Sequence, residues 1–125
     1  MAASVLIADD DPNIVLSLEF LMKRAGYEVR VVRDGDAVLS AVAEAVPDLL
    51  LLDVMMPKAN GYAVCDALRA DPACRGLRII MLTARGQEVE RRKGLALGAD
   101  AYITKPFSTR EMMELVRETL AGRGG

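Results

Sequence analysis

The 125-residue sequence has no histidine and no tryptophan. Without histidine, the chain cannot build a Ser-His-Asp or Cys-His catalytic group of its own. It cannot complete a four-ligand zinc site either, since its two cysteines, Cys65 and Cys74, have nothing to join. Two thiols suit buried or free cysteines of a reducing compartment better than a disulfide framework, so a cytoplasmic location is expected. Aromatic residues make up 4% of the chain, which leaves the core to aliphatic side chains. The formal net charge of −2 gives no basic field for nucleic acid. No apolar run approaches the ~20 residues of a membrane span. The N-terminus lacks the basic region and cleavage site of a signal peptide.

What remains is ordinary globular composition, 52% apolar and 27% charged, at a length that suits one domain. Short continuous apolar runs occur at Val5–Ala8, Val29–Val32, Leu49–Leu52 and Ile79–Leu82, with a weaker one at Ala101–Ile103. Such runs predict strands buried on both faces, as in a parallel sheet. Helical patterns lie between them. Ile14, Leu18, Leu21, Met22 and Ala25 form a stripe that Gly26 stops. Further helices are predicted over 36–45, 62–70 and 87–97, the last ended by Gly98. A final helix opens with the capping box Ser108–Glu111 and carries Met112, Leu115, Val116 and Leu120 on one stripe. Strand–helix alternation repeated five times predicts an α/β fold, a parallel sheet covered on both faces. The domain is expected over residues 1–121, with 122–125 as a flexible tail.

Ligands of open α/β sheets sit beyond the carboxyl ends of the strands. The residues that end each run therefore matter most. The first run ends in Asp9 and Asp10, the third in Asp53, the fourth in Thr83 and Ala84, and the fifth is followed by Lys105 and Pro106. Arg33 and Asp34, after the second run, look like turn and cap residues. Asp9, Asp10 and Asp53 crowded together would raise one another's pKa unless a cation intervenes. An oxygen-only cluster suits a hard cation, Mg²⁺ or Mn²⁺. Lys105, the Thr83 hydroxyl and the Ala84 backbone N–H could then hold a phosphoryl group. With no histidine, a carboxylate is the natural nucleophile.

Taken singly, each of these residues has a plainer reading. Asp9-Asp10-Asp11 could be a helix-entry cluster favoured by the macrodipole. Asp53 could cap a turn, Thr83 could be a strand-end hydroxyl, and Lys105 a solvated loop residue. Their joint placement at the ends of four strands favours one shared phosphoryl–metal site.

The segments "VLIADDDP", "LLLLDVMMPKANGY", "IIMLTARG" and "GADAYITKPFS" resemble the receiver domain of two-component response regulators, over residues 4–121. The resemblance implies a flavodoxin-like (βα)₅ sandwich with strand order 2-1-3-4-5. It implies that Asp53 is the phosphoacceptor. It implies that Asp10 binds the metal directly, Asp9 through metal-bound water, and Met55 by its backbone carbonyl. Thr83 and Tyr102 would be switch residues, Lys105 the phosphoryl-binding lysine, and Lys105–Pro106 a cis peptide bond. The implied partner is a histidine kinase or histidine phosphotransfer protein, with the output carried by the surface of the fourth helix, fifth strand and fifth helix. In relatives that dimerise there, an acidic residue stands at Ala101 and a basic one at Leu115; Arg91, Asp100 and Glu111 of that face are present. Arg91-Arg92-Lys93 could serve a partner or be a solvated helix end. An apolar Met55 beside the acceptor implies slow self-dephosphorylation. The chain is expected to be a stand-alone receiver or a piece of a larger protein.

The sequence also admits two rival readings. Asp9-x-Asp11 after a strand also fits haloacid-dehalogenase-type phosphatases, with Asp9 as nucleophile and Asp11 as general acid. An interaction module that uses the fold without phosphorylation is the other.

Overall fold

The structure is a computed structural model that describes residues 2–56, 60–84 and 98–122, with Ala84 as backbone only. Five strands form one parallel sheet, β1 (Ser4–Ala8), β2 (Glu28–Val32), β3 (Leu49–Asp53), β4 (Arg78–Ala84) and β5 (Ala101–Lys105). Their order is β2-β1-β3-β4-β5, the order that the resemblance implied. The helices are α1 (Pro12–Arg24), α2 (Gly35–Glu44), α3 (Gly61–Arg69) and α4 (Thr109–Gly122), with a short 3₁₀ turn at Pro72–Cys74. The helix predicted over 87–97 lies outside the described residues, as do Arg91, Arg92 and Lys93.

The continuous apolar runs divide by pleat between two cores, because successive side chains point to opposite faces. Leu6, Leu50, Leu52, Ile79 and Met81 join Val38 and Val42 of α2 and Val64, Cys65 and Leu68 of α3. Val5, Ile7, Leu49, Leu51, Ile80 and Leu82 join Leu18 and Met22 of α1 and Met112 and Val116 of α4. Burying each such aliphatic side chain contributes roughly 1.5–3 kcal/mol. Cys65 and Cys74 are buried thiols in the first core.

The helix signals act as their chemistry predicts. Asp11 caps α1 by accepting the Asn13 N–H at 2.9 Å, with Pro12 in the first turn. Asp34 caps α2 through the Ala37 N–H. Ser108 and Glu111 exchange reciprocal bonds of 3.0 Å each at the start of α4. Gly26 and Gly98 adopt φ +94° and +105°, the left-handed conformation that glycine tolerates. The run over 29–32 is not wholly apolar: Arg30 reaches from β2 to the carbonyls of Ala41 and Ala45 at the end of α2.

Register decides where the polar strand ends meet. β1 pairs with β3 from Val5↔Leu49 to Ala8↔Leu52. Continued by one pair, that offset sets Asp9 opposite Asp53. β4 and β5 pair up to Ala84↔Lys105.

Candidate functional site

Three carboxylates converge where β1 and β3 end. Ligand oxygens of Asp9, Asp10 and Asp53 all lie within 4.8 Å of one another. Asp9 is fully buried, Asp53 is 5% exposed and Asp10 is exposed. The backbone turn orients two of them. The Asp11 N–H donates to Asp9 Oδ1 at 2.9 Å, and the Met55 N–H donates to Asp53 Oδ1 at 3.2 Å.

Lys105 comes in from β5. Its Nζ is 2.8 Å from Asp9 Oδ2 and 3.4 Å from Asp53 Oδ1. Among the described residues no other donor reaches Asp9 Oδ2, so this buried oxygen leans on the Lys105 ammonium. A buried carboxylate oxygen left in that state fits a hard cation between Asp9, Asp10 and Asp53. Burial pushes the Asp53 carboxyl up to about 6, reinforced by Asp9 and opposed by Lys105 and the Met55 N–H. Burial works to lower Lys105, but its contacts with Asp9 and Asp53 outweigh it and raise the ammonium above its usual range.

Thr83 is buried at the end of β4, in register with Thr104 of β5. Tyr102 is half-buried against the α2–α3 core and pairs with Met81. Pleat alternation places Thr83 and Tyr102 on the same face of the sheet. The Lys105–Pro106 bond is cis, as implied. The Ala84 backbone lies beside Lys105 in register. Met55 belongs to the turn after Asp53, with its side chain 74% exposed at the rim. The structure thus brings Asp9, Asp10, Asp53 and Lys105 into one cluster, while Asp11 turns away to cap α1. The phosphatase reading needs Asp11 as a proton donor and leaves Asp53 without a task; this geometry favours neither.

Gly61 is a positioning residue that sequence reasoning missed. A Cβ there would lie 2.6 Å from the Asp53 carbonyl oxygen and 2.9 Å from Val54 Cα. Its N–H donates to the Val54 carbonyl at 2.7 Å. The start of α3 therefore rests directly on the backbone that carries the acceptor. In sequence, Asn60-Gly61 signals only a turn. Arg69 and Asp100 were also not foreseen as partners. Arg69 donates to the carbonyls of Leu77 and Gly98 and to Asp100 Oδ2, at 2.6, 2.8 and 2.7 Å. Asp100 Oδ2 also accepts the Ile79 N–H at 2.7 Å. Asp100, expected on an intermolecular face, is thus engaged inside its own chain.

Comparison with known proteins gives a consistent result. The family profile described as "Response regulator receiver domain" matches residues 5–117. The "Sensory transduction protein RegX3" of Mycobacterium tuberculosis (strain ATCC 25618 / H37Rv) is 43% identical over 122 residues, 98% of this chain and 52% of that protein. The chain therefore spans about half the length of this curated relative. Chemotaxis response regulator CheY4 of Vibrio cholerae has a TM-score of 0.90 at 28% identity, covering 95% of this chain and 99% of the other. The receiver domain of sensor histidine kinase PA1611 from Pseudomonas aeruginosa PAO1, with a magnesium ion coordinated in its active site cleft, has a TM-score of 0.88 at 26% identity, covering 97% and 99%.

Proposed function

The chain belongs to the response regulator receiver domain family, and from that premise we propose that residues 1–121 work as a switch in which Asp53 takes a phosphoryl group from a partner's phosphohistidine. The partner is a histidine kinase or a histidine phosphotransfer protein; the chain has no histidine to act as its own donor. One observation carries the reading: Asp53, Asp9 and Asp10 share one pocket with Lys105 at the ends of neighbouring strands.

An Asp53 carboxylate oxygen forms the new bond to phosphorus, and the bond from phosphorus to the donor imidazole nitrogen breaks. Asp10 and the Met55 carbonyl would hold Mg²⁺, with Asp53 as a further ligand and Asp9 acting through water. Bound there, the cation neutralises charge on the phosphoryl oxygens. Lys105, the Thr83 hydroxyl and the Ala84 N–H take up the remaining oxygens. The product carries roughly −2 charge at Asp53. Thr83 moves toward that charge, and Tyr102 on the same face follows, which alters the surface of β5 and α4. Met55 at the rim shields the acyl phosphate from water, so self-dephosphorylation is slow. Self-association through the β5–α4 surface has weaker support, since Asp100 and Glu111 are both engaged within the chain. The site lies in a domain that no described helix would anchor in a membrane, and the reading keeps the switch cytoplasmic.

The test is labelling with acetyl phosphate and Mg²⁺, followed by intact mass. The wild type gains one phosphoryl group, and Asp53→Asn does not. A label that survives in Asp53→Asn and is lost in Asp9→Asn would instead establish the phosphatase-like chemistry.

A further inference from the structure

β5 is an edge strand, and of its five residues only Ile103 is buried. Register is strongly specified where a whole strand face is buried and weakly where little is. Yet this strand delivers Lys105 to Asp9 and Asp53. A slip of one residue would turn the lysine to the opposite face, and a slip of two would move it roughly 7 Å along the sheet.

The strand is fixed at its other end. The Asp100 N–H donates to the Ile79 carbonyl at 2.8 Å, and Asp100 Oδ2 accepts the Ile79 N–H at 2.7 Å. One residue thus holds both backbone polar groups of a single β4 residue. In a continued parallel ladder the Ile79 N–H would go to the carbonyl at position 98. Gly98 instead turns at φ +105°, and its carbonyl accepts the Arg69 Nε–H at 2.8 Å. Arg69 Nη2 also donates to Asp100 Oδ2 at 2.7 Å, and Nη1 to the Leu77 carbonyl at 2.6 Å. The guanidinium therefore ties the start of β5 to the end of α3 and to the approach to β4.

We propose that Asp100, oriented by Arg69, is a positioning residue for Lys105. It locks the register of β5 against β4 and so sets where the ammonium stands, roughly 16 Å along the strand. The effect on phosphoryl acceptance rests on the receiver reading, whereas the register itself does not.

The test pairs labelling of Asp53 by acetyl phosphate and Mg²⁺ with cross-strand NOEs in protein that has met no phosphodonor, both well below each variant's Tm. Asp100→Ala should label about tenfold more slowly and lose the Ile80–Ala101 and Thr83–Thr104 contacts. Asp100→Asn keeps an acceptor for the Ile79 N–H and should recover most of the rate. Arg69→Lys, the gentler variant, keeps the charge but loses the fork, and should label about threefold more slowly. Val42→Ala destabilises the α2 core far from β5 and should label as the wild type does. In the Lys105→Met background neither Asp100→Ala nor Arg69→Lys should slow labelling further, because both act through the lysine. Slowdowns that multiply in the double variants overturn the proposal, as does a wild-type rate in both single variants or unchanged cross-strand NOEs in Asp100→Ala. A wild type that takes no label would sink the receiver reading alone, since the NOEs still decide the register.

Discussion

The Lys105 ammonium sits closer to Asp9 than to Asp53, at 2.8 against 3.4 Å. The lysine thus partly neutralises the acidic pair in the absence of a cation, and its bond to the acceptor is the weaker of the two. Lys105→Met removes the charge and keeps much of the stem. Labelling of Asp53 by acetyl phosphate should slow about 10²-fold, comparable to the loss of one preorganised charge contact in other sites. A rate within twofold of wild type would separate Lys105 from the phosphoryl group.

The buried Asp53 carboxyl titrates near 6, above its ordinary 3.8. The folded protein then binds more protons than the unfolded chain between those values. Metal-free stability should therefore fall as pH rises from about 4 to 6 on account of this group. Asp53→Asn should flatten that slope and raise Tm at pH 7. Mg²⁺ competes with the same proton, so its stabilisation should be larger at pH 7 than at pH 5. Scanning calorimetry at both pH values, with and without Mg²⁺, measures all three effects; a slope unchanged in Asp53→Asn contradicts the assignment.

Gly61→Ala places a methyl group against the Asp53 carbonyl. Either α3 or the acceptor turn must shift, at about 1–3 kcal/mol for overpacking. Because the turn carries Asp53 and Met55, Mg²⁺ affinity should fall more than Tm alone accounts for. Ala63→Gly, two residues along α3, serves as the control: it loosens the helix without touching the turn, and its Mg²⁺ affinity should stay that of the wild type.

Met55 bears on the lifetime of the phosphorylated state. Met55→Asn offers a polar group that can guide water to the acyl phosphate, and should shorten its half-life about tenfold. Decay followed by mass spectrometry after removal of the donor gives the comparison. Wild-type release within seconds would remove Met55 from this role.

Arg69→Ala should destabilise the fold by about 3–5 kcal/mol. The largely buried Asp100 carboxylate would keep the Ile79 N–H but lose its countercharge, and the carbonyls of Gly98 and Leu77 would lose the guanidinium. Urea unfolding measures it; a change below about 1 kcal/mol would mean that water replaces the guanidinium at little loss.

Much of this arrangement was legible because it depends on short-range chemistry. Leu49–Leu52 has no polar residue, so it had to be a strand buried on both faces, and all four side chains are fully buried. Asp11, Asp34 and Ser108 preceded helical patterns and became caps. Strand ends came out within about a residue or two for similar reasons. The resemblance added strand order, and with it the expectation that Asp10 and Asp53 end side by side; the register sets Asp9 opposite Asp53. What escaped were contacts made by distant backbone. Nothing in the sequence around Arg69 points to its partners, because its acceptor carbonyls are supplied by residues 77 and 98. Gly61 carried a turn signal that says nothing of the strand beneath it. Arg30 hid within an apolar run because its acceptors belong to α2.

The pairing of β1 with β3 works as a ruler. Strand residues advance about 3.3 Å each and alternate faces. An extra residue within β3 would therefore slide Asp53 along the sheet and turn it toward the opposite core, away from Asp9 and Lys105. The same insertion in the loop after β2 need not alter the pairing of β1 with β3. Insertions thus meet two regimes, abrupt within these short strands and gradual in a loop such as the one after β2.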